Sequence, residues 1–205
     1  MPLIRLHEPF PDWCELRQFD IVALDPGGVL RLDAPDTPRD VVIVVRGTAT
    51  LDDASLAEGS IAAPERYPAT IAAGDDGAVV VRMCGQWGDE TGGIGLFGVR
   101  EVPEPRDSGD PVDYPKRTAF DAHFHDCDEY WIIIEGRGVA VSEGTLYAVG
   151  PGDCIATGMG HHHDFPEAPE PVRAVFFETT MQGARRRGHL WEHTHGPAEP
   201  HPDRT

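Results

Sequence analysis

Short apolar runs separated by Gly-, Pro- and Asp-rich turns recur along this chain from Ile21 to Thr180. The turns have the composition of tight β-turns, as in the segments 25–28 (Asp-Pro-Gly-Gly) and 150–153 (Gly-Pro-Gly-Asp). No stretch of a dozen residues carries a clean 3.6-residue apolar period. With 23 Gly and 19 Pro in 205 residues, this pattern predicts an all-β fold. The predicted strands are Asp20–Ala23, Val41–Val45, Ala78–Met83, Ile94–Val99, Phe120–Phe124, Tyr130–Glu135, Val139–Val141, Leu146–Val149 and Val172–Thr179.

The charge balance excludes several classes of partner. Seventeen Lys and Arg side chains stand against 35 Asp and Glu, which leaves a formal charge of −18. A surface that binds nucleic acid or an anionic membrane needs the opposite sign. The N-terminus lacks an apolar signal region, and the aliphatic runs are too short to cross a bilayer. The four cysteines form no C-x-x-C pair, which argues against a disulfide framework or a zinc ribbon. We therefore expect a soluble, acidic, cytoplasmic protein.

The chain also shows signs of two similar halves. A Pro-rich stretch, 102–115, lies between them and is expected to be a linker. When Gly47 is aligned with Gly136, Val41–Ala49 resembles Tyr130–Gly138 as a strand followed by a Gly turn. The match is short, and any two β-rich stretches can look alike, so a duplication is one of two open interpretations.

Histidine is concentrated in the second half, where nine of the ten lie after residue 120. Side chains two residues apart on a strand share a face, so His123 and His125 are expected to point the same way. Glu129 has the same parity and follows a short polar corner. Two imidazoles and a carboxylate that converge from adjacent strands suit a divalent metal of intermediate softness.

A second histidine cluster follows a turn at Gly158-Met-Gly160. His161, His162 and His163 are consecutive, so they alternate between the two faces of a strand. His161 and His163 share one face with Phe165, and His162 takes the other. The residues leave open which of the three histidines would join the first cluster.

The pattern His123-x-His125-x3-Glu129-x6-Gly136 resembles the first signature motif of the cupin superfamily, and Pro151-x-Asp153 followed by a histidine resembles the second. The resemblance covers about 120–179. It implies a small β-barrel with one divalent ion (Fe, Mn, Zn, Ni or Co), and it implies metal ligation by His123, His125, Glu129 and His163. The usual proline before the last histidine is replaced here by Thr157-Gly-Met-Gly. The motif register favours His163, while His161 or His162 could be an alternate ligand or lie next to the ligands.

The same alignment applied to the first half finds no metal ligands of this kind. Ala34, Asp36 and Asp40 stand where the second half has His123, His125 and Glu129. We therefore expect two cupin-type β-barrels (double-stranded β-helix, jelly-roll-like), of which only the second binds metal. The expected domains are 1–101 (degenerate barrel), 102–115 (linker), 116–182 (metal-binding barrel) and 183–205 (polar tail).

Other residues are open to two interpretations. Trp131, Ile133 and Phe165 are expected to line the cavity. The run Arg185–Arg187 could hold an anionic substrate or form a solvated face. His189, His193 and His195 could close over the barrel or belong to an exposed tail, which is expected to dock through Trp191 and to fray at its end. The segment Gly92-Gly-Ile-Gly lacks the helix and lysine of a phosphate loop.

The resemblance favours a metal-dependent enzyme for a small polar metabolite, such as a hydroxy or keto acid or a sugar derivative. Isomerase, epimerase or lyase chemistry and iron-dependent dioxygenase chemistry both fit, and the sequence identifies no catalytic residue. The alternative is a non-catalytic sensor or storage-type cupin that only binds a ligand. A homodimer is expected because cupins commonly pair through sheet edges.

Overall fold

The computed structural model describes residues 2–105, 109–187 and 196–205. Within these ranges the regular structure consists of twelve β-strands, without a helix. The prediction of an all-β fold is therefore confirmed. In chain order the strands are β1 (Leu3–Arg5), β2 (Leu16–Leu24), β3 (Val29–Leu32), β4 (Arg39–Leu51), β5 (Ala54–Ala57), β6 (Ile61–Ala62), β7 (Ala69–Gly85), β8 (Thr91–Val99), β9 (Glu129–Ser142), β10 (Thr145–Val149), β11 (Asp153–Thr157) and β12 (His163–Thr180).

The chain divides into two compact units, each built on its own sheet. The larger unit comprises Met1–Cys14 and Gly88–Thr205, and the smaller unit comprises Glu15–Trp87. The larger sheet has the strand order β1-β11-β9-β12-β8, with β10 also paired to β9. The smaller sheet has the order β2-β7-β4-β5, with β3 paired to β7 and β6 to β4. Within the described residues, the first and last strands of each sheet do not pair with each other. The two closed barrels therefore remain a prediction.

The two sheets share a plan. Each has a long antiparallel central pair, β9–β12 in the larger sheet and β4–β7 in the smaller. The second strand of each central pair is flanked by a preceding strand, β8 or β2. The first strand pairs with the two short strands that follow it, β10 and β11 or β5 and β6. This common order supports the interpretation that the two halves are related.

The larger sheet is rolled rather than flat. Glu129 and Ser142 begin and end β9 and pair with Glu178 and His163 of β12. In a flat ladder, the two ends of β9 would lie about 40 Å apart. The side chains of Glu129 and His163 are nevertheless in contact, at 2.6 Å between Oε2 and Nε2. The bend in β9–β12 therefore brings together residues from opposite ends of the ladder.

Gly136 lies where β9 faces the irregular middle of β12. Its φ is +79°, and a Cβ at this position would lie 2.0 Å from the carbonyl oxygen of Pro171. Gly47, its partner in the sequence alignment, has φ +76° and equally little space, since a Cβ would lie 2.2 Å from the oxygen of Gly77. Only glycine combines a left-handed backbone with such a close approach.

We expect Gly136→Ala to destabilise the larger unit more than Gly144→Ala. Gly144 also has positive φ, +74°, but its Cβ would meet nothing within 4 Å. The control should cost about 1 kcal/mol of unfolding free energy through backbone strain alone. Gly136→Ala adds a clash with backbone and should cost about 3 kcal/mol. Urea unfolding of both variants checks this, and equal losses would contradict it.

The compact units differ from the predicted domains. The strand β8 precedes the Pro-rich stretch 102–115 but pairs with β12 along nearly its whole length. It therefore belongs to the larger unit, as do the first fourteen residues, in which β1 pairs with β11. The described part of the Pro-rich stretch contacts that unit, with the amide of Asp110 donating to the carbonyl of Ala122. The prolines therefore mark a loop inside the larger unit. The boundary between the two units is set by the pairing of β8 with β12.

The predicted strand Phe120–Phe124 is not a regular strand. Its only β-bridge in the described part of the chain joins His123 to His163. The side chain of Lys116 donates to the carbonyl of Phe120, which therefore does not need a ladder partner. The predicted strands Tyr130–Glu135 and Val139–Val141 form the single strand β9.

Each unit has an apolar core. The smaller core contains valines of β4 and β7, and the larger one combines aliphatic side chains with aromatic ones from β8, β9 and β12. No helix with the length and apolar character of a membrane crossing is found among the residues that the structure describes.

Candidate metal centre

Four side chains converge at one end of the larger unit: His123, His125, Glu129 and His163. Each offers a ligand atom, and these atoms all lie within 4.8 Å of one another. His123 and His125 come from the segment before β9, and Glu129 and His163 are the first residues of β9 and β12. The bridge between His123 and His163 joins the two histidine clusters.

Three atoms at the centre of this group have no hydrogen-bond partner in the described structure. They are Oε2 of Glu129 and Nε2 of His125 and His163, all buried. The carboxylate oxygen lies 3.1 Å from Nε2 of His125 and 2.6 Å from Nε2 of His163, but the geometry is not that of a hydrogen bond. Buried polar atoms without a partner are costly, and an ion between them would remove that cost.

In His123 and His163 the other ring nitrogen faces a backbone carbonyl away from the centre. Nδ1 of His123 is 2.9 Å from the carbonyl of Asp121, and Nδ1 of His163 is 3.0 Å from the carbonyl of His161. A carbonyl can only accept, so these nitrogens carry the proton and Nε2 keeps its lone pair. Metal-binding histidines typically have this arrangement, which fixes both tautomer and ring orientation. The donor set of three imidazoles and a carboxylate therefore fits a divalent transition metal.

Glu129 is ionised in this environment. Its burial acts to raise the pKa, but the neighbouring imidazoles of His125 and His163 outweigh burial and hold the pKa of this carboxyl well below its usual range. A carboxylate that is negative and buried is the form that binds a cation.

The structure brings His163 into the group and directs the other two histidines of the triplet elsewhere. Nε2 of His161 donates to the carbonyl of His201 at 3.0 Å. Nε2 of His162 is 2.9 Å from a carboxylate oxygen of Asp110. Of the three consecutive histidines, only His163 belongs to the four-residue group.

The residues expected to line a cavity are packed in the core. Trp131, Ile133 and Phe165 are all almost completely buried. The Trp131 ring lies 5.1 Å from the ring of His163 and 5.3 Å from Phe120, measured between centroids. These rings form an apolar wall behind the histidines. A cavity of about 430 Å³ lies beside His163, and Tyr114, Glu143 and His162 are also among its lining residues.

Sequence reasoning missed Glu178. It pairs with Glu129 across β9 and β12, and its Oε1 lies 3.7 Å from Nδ1 of His125. Burial, reinforced by the neighbouring Glu129 carboxylate, raises the pKa of Glu178 above its usual range, although His125 and Arg187 act in the opposite direction. Because 49 residues separate Glu178 from Glu129, no local motif links the two. The sequence indicates only on which face of β12 the Glu178 side chain lies.

A second possible group shares His125 and consists of His125, Cys127 and Glu178. Burial, reinforced by the neighbouring carboxylates, raises the pKa of the Cys127 thiol far above its usual range. The thiolate is the form that binds metal, so a thiol that resists ionisation is the weaker ligand. The group of four is therefore the better candidate.

The glycine-rich segment 92–95 makes room for β12 side chains. A Cβ on Gly92 would lie 2.1 Å from Oε2 of Glu178, and one on Gly95 would lie 2.6 Å from the ring of Phe176. Gly92 therefore leaves space for the Glu178 side chain, which faces His125. The segment 92–95 forms part of the strand β8.

The smaller unit keeps one member of the aligned set in its interior. Ala34 and Asp36 are exposed, whereas Asp40 is buried. Its carboxylate binds the Arg82 guanidinium at 2.6 Å (Oδ2 to Nη2) and accepts from the Tyr67 hydroxyl at 2.6 Å. Arg82 thus lies beside the Asp40 carboxylate, whereas histidines lie beside the carboxylate of Glu129.

The arginine run is divided among several partners. Arg185 pairs with Glu90 on the surface, and Arg186 forms a partly buried ion pair with Asp126 at 2.8 Å. Arg187 is exposed. The tail histidines His189, His193 and His195, together with Trp191, lie outside the described residues. The final segment, expected to fray, instead contacts the larger unit through His201 and Arg204.

Comparisons of sequence and of structure relate this chain to known proteins. No family model matches the chain. The uncharacterised protein y4oW of Sinorhizobium fredii is 43% identical over 211 positions, which cover 100% of this chain and 96% of the relative. Oxalate decarboxylase of Bacillus subtilis, studied for its Mn(II) centres, is 13% identical with a TM-score of 0.51 over 80% of this chain and 69% of its own. Hazelnut (Corylus avellana) vicilin is 9% identical with a TM-score of 0.54 over 80% of this chain and 75% of its own.

Identities this low show the fold alone, and that fold agrees with the cupin resemblance of the histidine motifs. The identity to y4oW spans both proteins almost completely, so it shows a family relationship. The chain therefore belongs to the family of the rhizobial protein y4oW and has the cupin fold.

Proposed function

We propose that this protein is a metal-dependent enzyme that acts on a small polar acid by proton transfer. The observation that carries the proposal is the convergence of His123, His125, Glu129 and His163, with ring nitrogens and a carboxylate oxygen left without hydrogen-bond partners at the centre. Four protein ligands leave one or two coordination positions open on most divalent ions, which suits catalysis better than structural binding.

The residues of the chain have separate tasks in this proposal. The three imidazoles and Glu129 hold the ion, which when bound supplies a Lewis acid that polarises a substrate oxygen. Trp131 and its aromatic neighbours exclude water from one side. Glu178 holds or moves a proton through Oε1, which lies 3.7 Å from Nδ1 of His125 and is not used by the ligand set.

The substrate class is supported by size and charge. The 430 Å³ cavity beside His163 suits a small molecule. Arg187 lies near enough to Glu178 to affect its pKa, so it could balance a substrate carboxylate. Oxalate decarboxylase, which shares the fold, is by its name a lyase for a small acid. A hydroxy or keto acid fits these features, and a sugar acid would fit them as well.

A carboxyl group beside the site favours isomerase, epimerase or lyase chemistry over a dioxygenase. Isomerisation and lysis of hydroxy or keto acids need a group that takes or returns a proton. Glu178 can do this because it is not one of the four ligands. A dioxygenase would place its substrate and oxygen in the open positions and would make less use of Glu178.

We expect Glu178→Gln to lose turnover while keeping its metal. The Mn(II)-loaded protein is incubated in deuterated water with a panel of small 2-hydroxy and 2-keto acids, and exchange of the α-hydrogen is followed by NMR. The wild type should exchange at least one acid, and the variant should be slower by about 10²–10⁴-fold. Its metal content should be unchanged, because Glu178 is not among the four ligands.

The control is Glu170→Gln, an exposed carboxyl on the same strand, which should behave like the wild type. Oxygen uptake with the Fe(II) form and any acid of the panel would favour the dioxygenase instead. Metal binding without turnover or exchange of any acid would contradict the enzyme and favour a ligand-binding cupin.

We also propose that the smaller unit is a second cupin-type barrel that has lost its metal. The shared strand order and the buried Asp40, bound to Arg82 rather than to histidines, support this. A homodimer in the cytoplasm, with a small-molecule substrate and without nucleic acid or membrane as partner, completes the proposal.

A further inference from the structure

We infer that the C-terminal segment 197–204 is a positioning element of the metal centre, with Arg204 as its principal residue. This inference rests on the proposed metal site. The segment contacts the turn that leads into His163 and the residue next to Glu129, so it touches the supports of two ligands. None of its residues belongs to the four-ligand group itself.

The first set of contacts holds the turn before His163. The amide of His201 donates to the carbonyl of Met159 at 3.0 Å. In return, Nε2 of His161 donates to the carbonyl of His201 at 3.0 Å. The carbonyl of His161 is also the acceptor for Nδ1 of His163 at 3.0 Å. His201 therefore fixes the residue that orients the His163 ring.

The second contact reaches the neighbour of Glu129. Nη1 of Arg204 donates to Oδ1 of Asp128 at 2.8 Å, and the same oxygen accepts from the amide of Met159 at 2.9 Å. The side chain of Asp128 is completely buried. A buried carboxylate needs a cation or several donors to stay charged, and Arg204 supplies the cation. Asp128 thereby ties the start of β9 to the turn before His163.

The third contact lies on the side of His125. Nη1 of Arg186 donates to the carbonyl of Pro197 at 2.9 Å, while its guanidinium pairs with Asp126. The amide of Asp126 donates in turn to the carbonyl of Arg186. Asp128, directly before Glu129, is thus held by Arg204 of the C-terminal segment. Asp126, directly after His125, is held by Arg186, which contacts that segment at Pro197.

The Gly158-Met-Gly160 turn is shaped for this segment. A Cβ on Gly158 would lie 2.2 Å from the carbonyl oxygen of Arg204, and one on Gly160 would lie 2.2 Å from that of Glu199. Both clashes are with backbone, which cannot move aside by a rotamer change. The departure from the cupin motif, in which a proline is usual before the last histidine, therefore matches the docking of the C-terminal residues.

The expected consequence is weaker metal binding when the contact is removed. Residues that hold metal ligands in place typically contribute about 10–100-fold to metal affinity. We therefore expect Arg204→Met to bind Mn(II) about 10–100-fold more weakly than the wild type. Arg204→Lys keeps the charge and should recover part of the loss.

The experiment is a titration of the metal-free full-length protein with Mn(II), followed by the EPR signal of free Mn(II) well below the unfolding temperature. Arg185→Met is the matched control, because Arg185 pairs with Glu90 on the surface, and it should bind like the wild type. The visible spectrum of the Co(II) form should change in Arg204→Met and not in Arg185→Met, since only the former alters ligand geometry.

Gly158→Ala decides the matter if Arg204→Met does not fold, since its Cβ would displace the segment at Arg204. It should show the same weaker binding and altered Co(II) spectrum. Wild-type affinity and an unchanged spectrum in whichever of the two variants folds would overturn the inference. Absence of Mn(II) binding by the wild type itself would overturn the proposed metal site, so the two failures are distinguishable.

Discussion

Replacing His163 with alanine should abolish metal binding, while replacing its neighbour His162 should leave it unchanged. Nε2 of His163 is buried, faces the Glu129 carboxylate at 2.6 Å and has no hydrogen-bond partner in the described structure. His162 is only half-buried and interacts with Asp110. Loss of one of four ligands should lower the affinity by about 10³-fold or more, which is about 4 kcal/mol of binding free energy.

The pair of variants is well matched, because both remove an imidazole from the same triplet. Metal analysis after dialysis should find about one equivalent in His162→Ala and less than about a tenth of that in His163→Ala. Added metal should raise the unfolding temperature of the wild type and His162→Ala, and should leave that of His163→Ala unchanged. The reverse pattern would assign the ligand to His162 and contradict the geometry described above.

The second large effect is expected in the smaller unit. Arg82→Met should lower the unfolding free energy by about 3–5 kcal/mol, because it leaves the buried Asp40 carboxylate without its cation. The Asp40 side chain is 3% exposed and that of Arg82 14%. Arg82 also donates to the backbone carbonyl of Asp33 at 2.7 Å. The loss therefore includes the cation that pairs with Asp40 and the donor to the carbonyl of Asp33.

Arg31→Met is the control for this prediction. Arg31 pairs with Asp33 at 3.1 Å, but both side chains are largely exposed to solvent, at 67% and 76%. An exposed pair of this kind contributes less than about 1 kcal/mol. Urea unfolding followed by circular dichroism compares the two variants. The double variant Asp40→Asn with Arg82→Met should recover part of the stability, and equal small losses in both single variants would contradict a buried ion pair.

The sequence predicted local features well. The all-β fold follows from turn composition and strand period, which are properties of neighbouring residues. The spacing of His123, His125 and Glu129 is likewise local, and the structure brings these side chains together. The alignment of Gly47 with Gly136 predicted a Gly turn after each strand, and the structure instead has both glycines within long strands, each with a left-handed backbone.

Long-range contacts set the limit of that prediction. Glu178 reaches the site by pairing across β9 and β12, and Arg204 reaches Asp128 from 76 residues away. Neither carries a local signal. The domain boundary was placed at the Pro-rich stretch, although the pairing of β8 with β12 assigns β8 to the larger unit. Proline content indicates where the chain turns, whereas strand pairing determines which segments fold together.

The metal content of the unmodified protein tests the central claim most directly. The chain is produced without a histidine tag, purified without chelators and analysed by plasma mass spectrometry. The convergence of His123, His125, Glu129 and His163 predicts about one equivalent of a divalent transition metal per chain. A protein that is folded, contains less than about a tenth of an equivalent and takes up neither Mn(II) nor Zn(II) on titration would contradict it.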